Sequence, residues 1–306
     1  MKRYILLIII SFFSLADRAF GSEIVVLKSS ASKINQQIQD VFIDELGKRV
    51  PHRGLKCIQP NQMTEVVITR RNEGGIASRI QSIAPDLILA LGAQALEVAL
   101  LVPNIPVVHL LVIHPVTITD KKRPVTGVSL SVPPKVQLDE MKSYFPKVKR
   151  IGLVYDPKRS RKIIEQLNSV RPDLEFIALP TENIAEVPAL IHSLRGKVDL
   201  LWMLPDLTAT NQVTIQSYAL FSIRNKIPLL TFSKKLLKHG ATIAVTFDTD
   251  KMAKQAAVLA IDMLFHPVGA EAERTALVDP PVETIINYKM AAKLGIFIAD
   301  RRKADE

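Results

Sequence analysis

The side chains that could do chemistry in this chain lie directly after short apolar runs. The run 86–91 shows no alternation of apolar and polar residues, which is typical of a parallel strand buried on both faces. The positions that follow the runs carry hydroxyls, an amide, an imidazole and two carboxylates: Ser29, Ser30, Gln94, His114, Asp156, Asp206, Thr208 and Ser233. In an open parallel sheet, ligands bind beyond the carboxyl ends of the strands. These residue types therefore predict a ligand site built from hydrogen bonds and ion pairs.

Gly92 follows the apolar run 86–91 and precedes Ala93 at the start of a predicted helix. A glycine at this point lets the backbone approach a ligand, and the N–H groups of a helix N-terminus favour an anion such as a carboxylate. The alternative is that Gly92 only makes a tight turn. The sequence leaves both interpretations open.

Asp206 follows the apolar run 200–204, and Pro205 prevents further sheet pairing. Its carboxylate is the strongest single candidate for pairing with a ligand ammonium. The alternative is that Asp206 caps a turn or the helix beginning near Asn211. His114 also ends a strand, and it either contacts the ligand or satisfies a local hydrogen bond.

Catalytic spacings are missing from the sequence. It contains no G-x-S-x-G elbow, no phosphate-binding loop of the G-x-x-x-x-G-K-[ST] type, no H-E-x-x-H and no G-x-G-x-x-G. The six histidines lack metal-ligand spacing, and the single cysteine, Cys57, is expected to fill a strand position. We therefore expect no enzyme, no cofactor and no metal, with an exported α/β enzyme as a remote alternative.

Strands and helices alternate along the chain, which predicts two α/β lobes with parallel sheets joined by a hinge. The first lobe is predicted to contain strands at 24–27, 55–58, 86–91 and 105–112, with helices between them. A proline-rich connection surrounds a short strand at 125–130 and leads to a helix at 135–144. The second lobe is predicted to contain strands at 150–155, 174–179, 199–204, 227–232 and 241–247, with helices at 160–170, 184–194 and 211–225. A helix capped at Asp248 or Thr249, a strand at 282–286 and a helix at 288–294 complete the chain.

The N-terminus has the pattern of a signal peptide. Lys2 and Arg3 precede a short apolar run at 4–15, and small residues end at Gly21. We expect cleavage before Ser22 and a periplasmic protein, the alternative being a retained membrane anchor. Removing the leader lowers the formal charge from +10 to +8, because three cations and one carboxylate are lost. The remaining cations are scattered without aromatic interleaving, so nucleic-acid binding is not expected.

Several segments together resemble the ABC-transporter substrate-binding family related to tryptophan- and tyrosine-binding proteins, which has the type I periplasmic binding protein fold. The segments are 85–92, 105–108, 125–129, 150–155, 227–228 and 286–296. The resemblance implies a hinge of crossing segments, with the chain returning to the first lobe near Phe247. It implies a first lobe of residues 22–125 plus about 247–275, and a second lobe of residues 126–246 plus about 276–306.

The resemblance also implies an amino-acid-like ligand held by the loop after Gly92 and by Asp206. The chain departs from the family where it has Ile113-His114-Pro115, where Asn35 replaces an aromatic residue, and where 156–159 is more basic. These departures suggest a positively biased cleft that suits an anionic or carboxylated solute. Asn35 and Ala93 complete the predicted ligand-binding residues.

The expected function is that of a periplasmic solute-binding component of an ABC-type importer. Its partners would be a small solute and a membrane permease. The alternative is a ligand-sensing periplasmic protein that docks on a membrane receptor or kinase. Closure of two lobes over the ligand would serve either role.

Overall fold

The computed structural model describes residues 23–49, 63–69, 75–112, 124–265 and 277–298. Two six-stranded sheets organise these residues, and all but one of the strand pairs are parallel. Helices cover both sheets. The prediction of two α/β lobes with parallel sheets is confirmed.

The first sheet has the strand order β11-β5-β4-β3-β1-β2. Its strands are β1 (Ile24–Lys28), β2 (Met63–Val67), β3 (Leu87–Leu91), β4 (Val107–Leu110), β5 (Val125–Val128) and β11 (Leu277–Val278). Its helices are α1 (Lys33–Arg49), α2 (Ile76–Ile83), α3 (Ala93–Leu100) and α8 (Thr249–Phe265). The central strands β1 and β3 are buried throughout, because α1 and α8 cover one face and α2 and α3 the other.

The second sheet has the strand order β12-β10-β9-β8-β6-β7. Its strands are β6 (Arg150–Tyr155), β7 (Glu175–Pro180), β8 (Leu200–Trp202), β9 (Leu229–Thr231), β10 (Ile243–Phe247) and β12 (Val282–Ile286). Its helices are α4 (Pro134–Tyr144), α5 (Pro157–Val170), α6 (Val187–Ser193), α7 (Ile215–Asn225) and α9 (Tyr288–Leu294). Short 3-10 helices occupy Ile184–Glu186 and Lys234–His239. β12 is the antiparallel strand, and it pairs with β10.

Three segments cross between the sheets, and they are hydrogen-bonded to each other. The crossings follow β5, β10 and β11. The N–H of Ser129 donates to the carbonyl of Val278 at 2.8 Å, and the N–H of Asp248 donates to the carbonyl of Pro281 at 3.1 Å. Phe247, at the second crossing, packs against the core beneath α8 and against the core of the second sheet.

Sheet membership differs from the predicted lobe boundaries in two places. The boundary after residue 125 cuts β5, which pairs with β4 in the first sheet. Residues from 276 onward were expected in the second lobe, but β11 pairs with β5 in the first sheet. Both segments are short strands beside a crossing, where the apolar pattern gives no information about which sheet they join.

Local capping explains where helix starts differ from the predicted ones. α5 begins at Pro157, three residues before the expected Ser160, because the Asp156 carboxylate accepts the N–H of Lys158. α7 begins at Ile215 instead of Asn211, because the Asn211 side chain accepts the N–H groups of Val213 and Thr214 in a turn. Asp248 caps α8 by accepting from Asp250 and Lys251.

The predicted second strand of the first sheet, at 55–58, lies outside the described residues, as do the leader and Cys57. The observed β2, Met63–Val67, was missed because Glu65 interrupts its apolar residues. β2 lies at the sheet edge, where a polar side chain is tolerated. Within the described ranges, no helix has the length and apolar character needed to span a bilayer.

Candidate functional site

Ser29 and Gly92 meet at the carboxyl edge of the first sheet. The Ser29 hydroxyl accepts the N–H of Ala95 at 2.9 Å and so caps α3 from the neighbouring strand. Gly92 has φ of +99° and ψ of 166°, a conformation that is essentially restricted to glycine. A Cβ atom at Gly92 would lie 2.6 Å from the Ser29 hydroxyl oxygen. Gly92 therefore permits both the turn and the close approach of β1 to α3.

The first turn of α3 is open at this edge. Ala93 is exposed, and its N–H makes no hydrogen bond to another described residue. Gln94 is half-buried beside it. Because the first N–H groups of a helix lack intrahelical partners, this terminus can receive an anionic group.

Ser30 and Asn35 close the loop between β1 and α1. The Asn35 amide donates to the Ser30 carbonyl at 2.8 Å, and Asn35 is buried while Ser30 is exposed. The buried Asn35 side chain thus stabilises the loop through this hydrogen bond, whereas the Ser30 side chain is exposed to solvent. His114, the remaining predicted residue of this lobe, lies outside the described residues.

Asp206 lies at the corresponding edge of the second sheet, and its carboxylate is fully used inside the protein. One oxygen accepts the N–H of Asp156 and the hydroxyl of Ser160, at 2.8 and 2.7 Å. The other oxygen accepts the N–H groups of Thr208 and Ala209. Asp206 is only 2% exposed. It caps a turn, which was the alternative interpretation, and in this conformation it offers no free oxygen to a ligand.

Asp156 and Thr208 complete the same network. The Thr208 hydroxyl donates to the Asp156 carboxylate at 2.7 Å. This hydrogen bond, with that from the N–H of Lys158, lowers the pKa of Asp156 despite its burial. We call the group of Asp156, Ser160, Asp206 and Thr208 the aspartate clasp. The clasp joins the β6–α5 loop to the β8–α7 loop.

The basic residues after Asp156 are already paired. Lys158 forms an ion pair with Glu182 at 2.7 Å, and the Arg159 guanidinium lies 3.4 Å from the Asp156 carboxylate. These pairs reduce the positive excess on which the hypothesis of an anionic solute rests. The basic sequence of this loop is thus balanced locally by acidic neighbours.

At this edge of the second sheet, the described side chains of Ser233, Leu207 and Val213 are at least partly exposed to solvent. Ser233 follows β9, is half-buried, and its hydroxyl makes no hydrogen bond to another described residue. Leu207 and Val213, in the β8–α7 loop, are 69% and 71% exposed. Neither apolar residue is among the predicted site residues, because only polar side chains after the strands were expected to bind a solute. The sequence feature that could have identified them is the presence of apolar side chains in the loop between Pro205 and the next helix.

The predicted residues therefore form two clusters, one at the carboxyl edge of each sheet. The first contains Ser29, Ser30, Gly92 and Ala93. The second contains the aspartate clasp and the exposed apolar residues Leu207 and Val213 of the same loop. A separate pocket of about 450 Å³ lies between α6 and α7 on the outside of the second lobe. None of the predicted site residues lines it.

Comparison with known proteins places these features in a family. The model of the ABC transporter substrate binding protein family matches residues 71–304, which includes strands of both sheets. A tyrosine-binding protein of Clostridioides difficile is 27% identical over 221 residues, which are 69% of this chain and 61% of that protein's length. The match thus spans less than two thirds of that relative.

Two solved structures show the same fold. The ligand-free, open form of a Clostridium difficile substrate-binding protein with adhesive properties has a TM-score of 0.72 and 20% identity, covering 92% of this chain and 97% of that one. A Streptococcus pneumonia protein in complex with L-Trp has a TM-score of 0.57 and 19% identity, covering 94% and 98%. At these identities the structures establish the fold alone, whereas the family model covers most of the sequence. The chain belongs to the ABC transporter substrate binding protein family.

Proposed function

We propose that this protein is the solute-binding component of an ABC-type importer, and that the solute binds between its two lobes. The family match across both sheets is the observation that carries this proposal. The crossing segments after β5, β10 and β11 would act as the hinge, and the two edge clusters would form the walls of the cleft. Closure would then be driven by contacts that the solute makes with both walls at once.

The first lobe supports a carboxylate-bearing, amino-acid-like solute. The exposed start of α3 offers the N–H of Ala93, which has no partner among the described residues, and Ser30 adds a solvent-facing hydroxyl. A carboxylate placed there would gain from hydrogen bonds and from the positive end of the helix dipole. Tyrosine, for which one relative is named, and the L-Trp bound in one of the solved structures carry the same carboxylate.

The N-terminal sequence supports export. Its basic start, short apolar run and small residues before Ser22 fit a cleaved leader and a periplasmic location. The family as a whole serves ABC transporters, so the partner would be a membrane permease. N-terminal sequencing of the exported protein tests this part: a start at Ser22 is expected, and a start at Met1 would contradict cleavage.

A thermal-shift screen followed by calorimetric titration tests solute binding. The library contains amino acids, dicarboxylates, sugars and inositols. We expect one solute class to raise the melting temperature and to bind with one-to-one stoichiometry. Absence of saturable binding across the library would contradict the proposal.

The variant Ala93→Pro tests where the carboxylate binds. Proline at the first helical position removes one N–H group and leaves the helix intact. We expect roughly tenfold weaker binding of a carboxylate-bearing solute, because a hydrogen bond to a charged group is lost. The solute-free melting temperature of the variant serves as its control and is expected to match wild type. Unchanged affinity would place the carboxylate elsewhere.

A further inference from the structure

The β8–α7 loop, residues 203–214, turns apolar side chains toward solvent at the carboxyl edge of the second sheet. Leu207 and Val213 are 69% and 71% exposed, and Pro205 is exposed beside them. An exposed leucine alone needs no explanation. Here, however, the apolar residues share one loop at the edge where the fold places ligands.

The backbone of this loop is fixed by hydrogen bonds, so the exposure of its side chains is a property of the fold. The Asp206 carboxylate holds the N–H groups of Thr208 and Ala209. Farther along, the Asn211 side chain donates to the carbonyl of Thr208, and the Thr214 hydroxyl donates to the carbonyl of Ala209. The loop therefore holds Leu207 and Val213 in place instead of letting them fold back into the core.

The core beneath the loop is already filled. Ala209 and Tyr218 are fully buried in the cluster that supports the loop. The apolar residues above therefore have no partner among the described residues that would remove them from water. In a protein whose lobes close over a solute, the solute is the partner that reaches this surface.

We infer that Leu207 and Val213 form an apolar wall of the solute site and determine its specificity. This inference rests on the proposed solute-binding function and names the solute class. The solute carries a hydrocarbon face that contacts the second lobe, and a carboxylate that binds the start of α3 in the first lobe. Dicarboxylates and sugars would leave polar groups against Leu207 and Val213 without hydrogen bonds, and they are disfavoured for that reason.

The test uses probes that share a head group and differ in side-chain polarity. L-leucine and L-asparagine form one pair, L-valine and L-threonine a second, and hexanoate and succinate a third. Affinities are measured by calorimetry for wild type, Leu207→Asn and Val213→Thr. The controls are Leu220→Asn and Val258→Thr, which change exposed apolar residues on α7 and α8 away from the loop.

Wild type is expected to prefer the apolar member of the pairs that it binds. Leu207→Asn should reduce that preference about tenfold and Val213→Thr a few-fold, as expected for loss of apolar contact in a pocket. The two controls should leave the preference unchanged. Both substitutions lie on exposed side chains, so wild-type melting temperatures are expected for the unliganded variants.

Four results would overturn the inference. A wild-type preference for the polar members would show that the wall does not contact the solute, and so would unchanged affinities of all probes in Leu207→Asn. In both cases the observed binding would still support the proposed function. Equal weakening of every bound probe by Leu207→Asn would show that the wall contacts the opposite lobe instead. Absence of binding by any probe or library solute would contradict the proposed function and this inference together.

Discussion

At the residue scale, replacing Gly92 or Gly47 by alanine is expected to change stability in opposite directions. Gly92 has φ of +99°, and an added Cβ would lie 2.6 Å from the Ser29 hydroxyl oxygen. Gly47 lies in α1 with no atom within 4 Å of its added Cβ. We expect Gly92→Ala to destabilise the protein by about 1–3 kcal/mol, from backbone strain and loss of the Ser29 cap.

Gly47→Ala is the matched control and should stabilise the protein by about 0.5–1 kcal/mol, because alanine favours the helix. Chemical denaturation measures both. The double variant Ser29→Ala with Gly92→Ala removes the hydroxyl oxygen but keeps the backbone strain and the Ser29 Cβ, which lies 2.9 Å from the added Cβ, so no recovery is expected. Equal stability of Gly92→Ala and wild type would show that the turn does not depend on glycine.

His109 predicts a pH dependence of stability. It is 3% exposed in β4, its Nδ1 has no hydrogen-bond partner among the described residues, and its ring lies over Gly127. Burial lowers the pKa of His109 to about 4. In the unfolded chain the imidazole takes up a proton near its ordinary pKa of about 6.5, whereas the folded chain keeps it neutral.

Stability is therefore complete above about pH 6.5 and falls as the pH drops toward 4, by up to about 3 kcal/mol. Chemical denaturation at several pH values measures this loss. His109→Leu should lack this part of the pH dependence, and His192→Gln, at an exposed histidine, should retain it. An identical pH profile for His109→Leu and wild type would contradict this account of the histidine.

At the element scale, the aspartate clasp joins two loops that follow different strands. Asp206→Asn replaces one carboxylate oxygen by an NH2 group. That NH2 group would face either the N–H groups of Thr208 and Ala209, or the N–H of Asp156 and the hydroxyl of Ser160. We expect a loss of about 2–4 kcal/mol in unfolding free energy, because buried donors lose their acceptor. Asp44→Asn, at an exposed pair on α1, should change stability by less than about 0.5 kcal/mol. Similar values for the two variants would show that the clasp does not hold the loops.

The sequence predicted elements well where apolar period and capping agree. The bounds of β6, β12 and α9 match the prediction, and Gly295 ends α9 in a left-handed conformation as expected from its position. The choice between the two predicted roles of Asp206 could not be made from the sequence, because the strand end alone does not show that Asp156 and Ser160 come from another loop to meet it. The apolar wall was missed for a related reason: the exposure of Leu207 depends on hydrogen bonds made across the loop.

At the scale of the whole molecule, Phe247 lies where the two lobes share packing. It contacts the core beneath α8 and the core of the second sheet. Phe247→Ala should broaden the distribution of interlobe distances and weaken solute binding without removing a solute contact. Electron–electron distance measurements between spin labels at Glu97→Cys and Glu165→Cys, in a Cys57→Ser background, follow this change. Phe297→Ala, at an 85% exposed ring, is the control and should leave the distribution unchanged.

The same spin-label pair gives the most direct test of solute capture between the lobes. Glu97 lies on α3 and Glu165 on α5, so the labels report on one lobe each. With a solute that saturates the protein one-to-one, we expect a shorter and narrower distance distribution than without it. A saturating solute that leaves the distribution unchanged would contradict closure of the lobes over the solute.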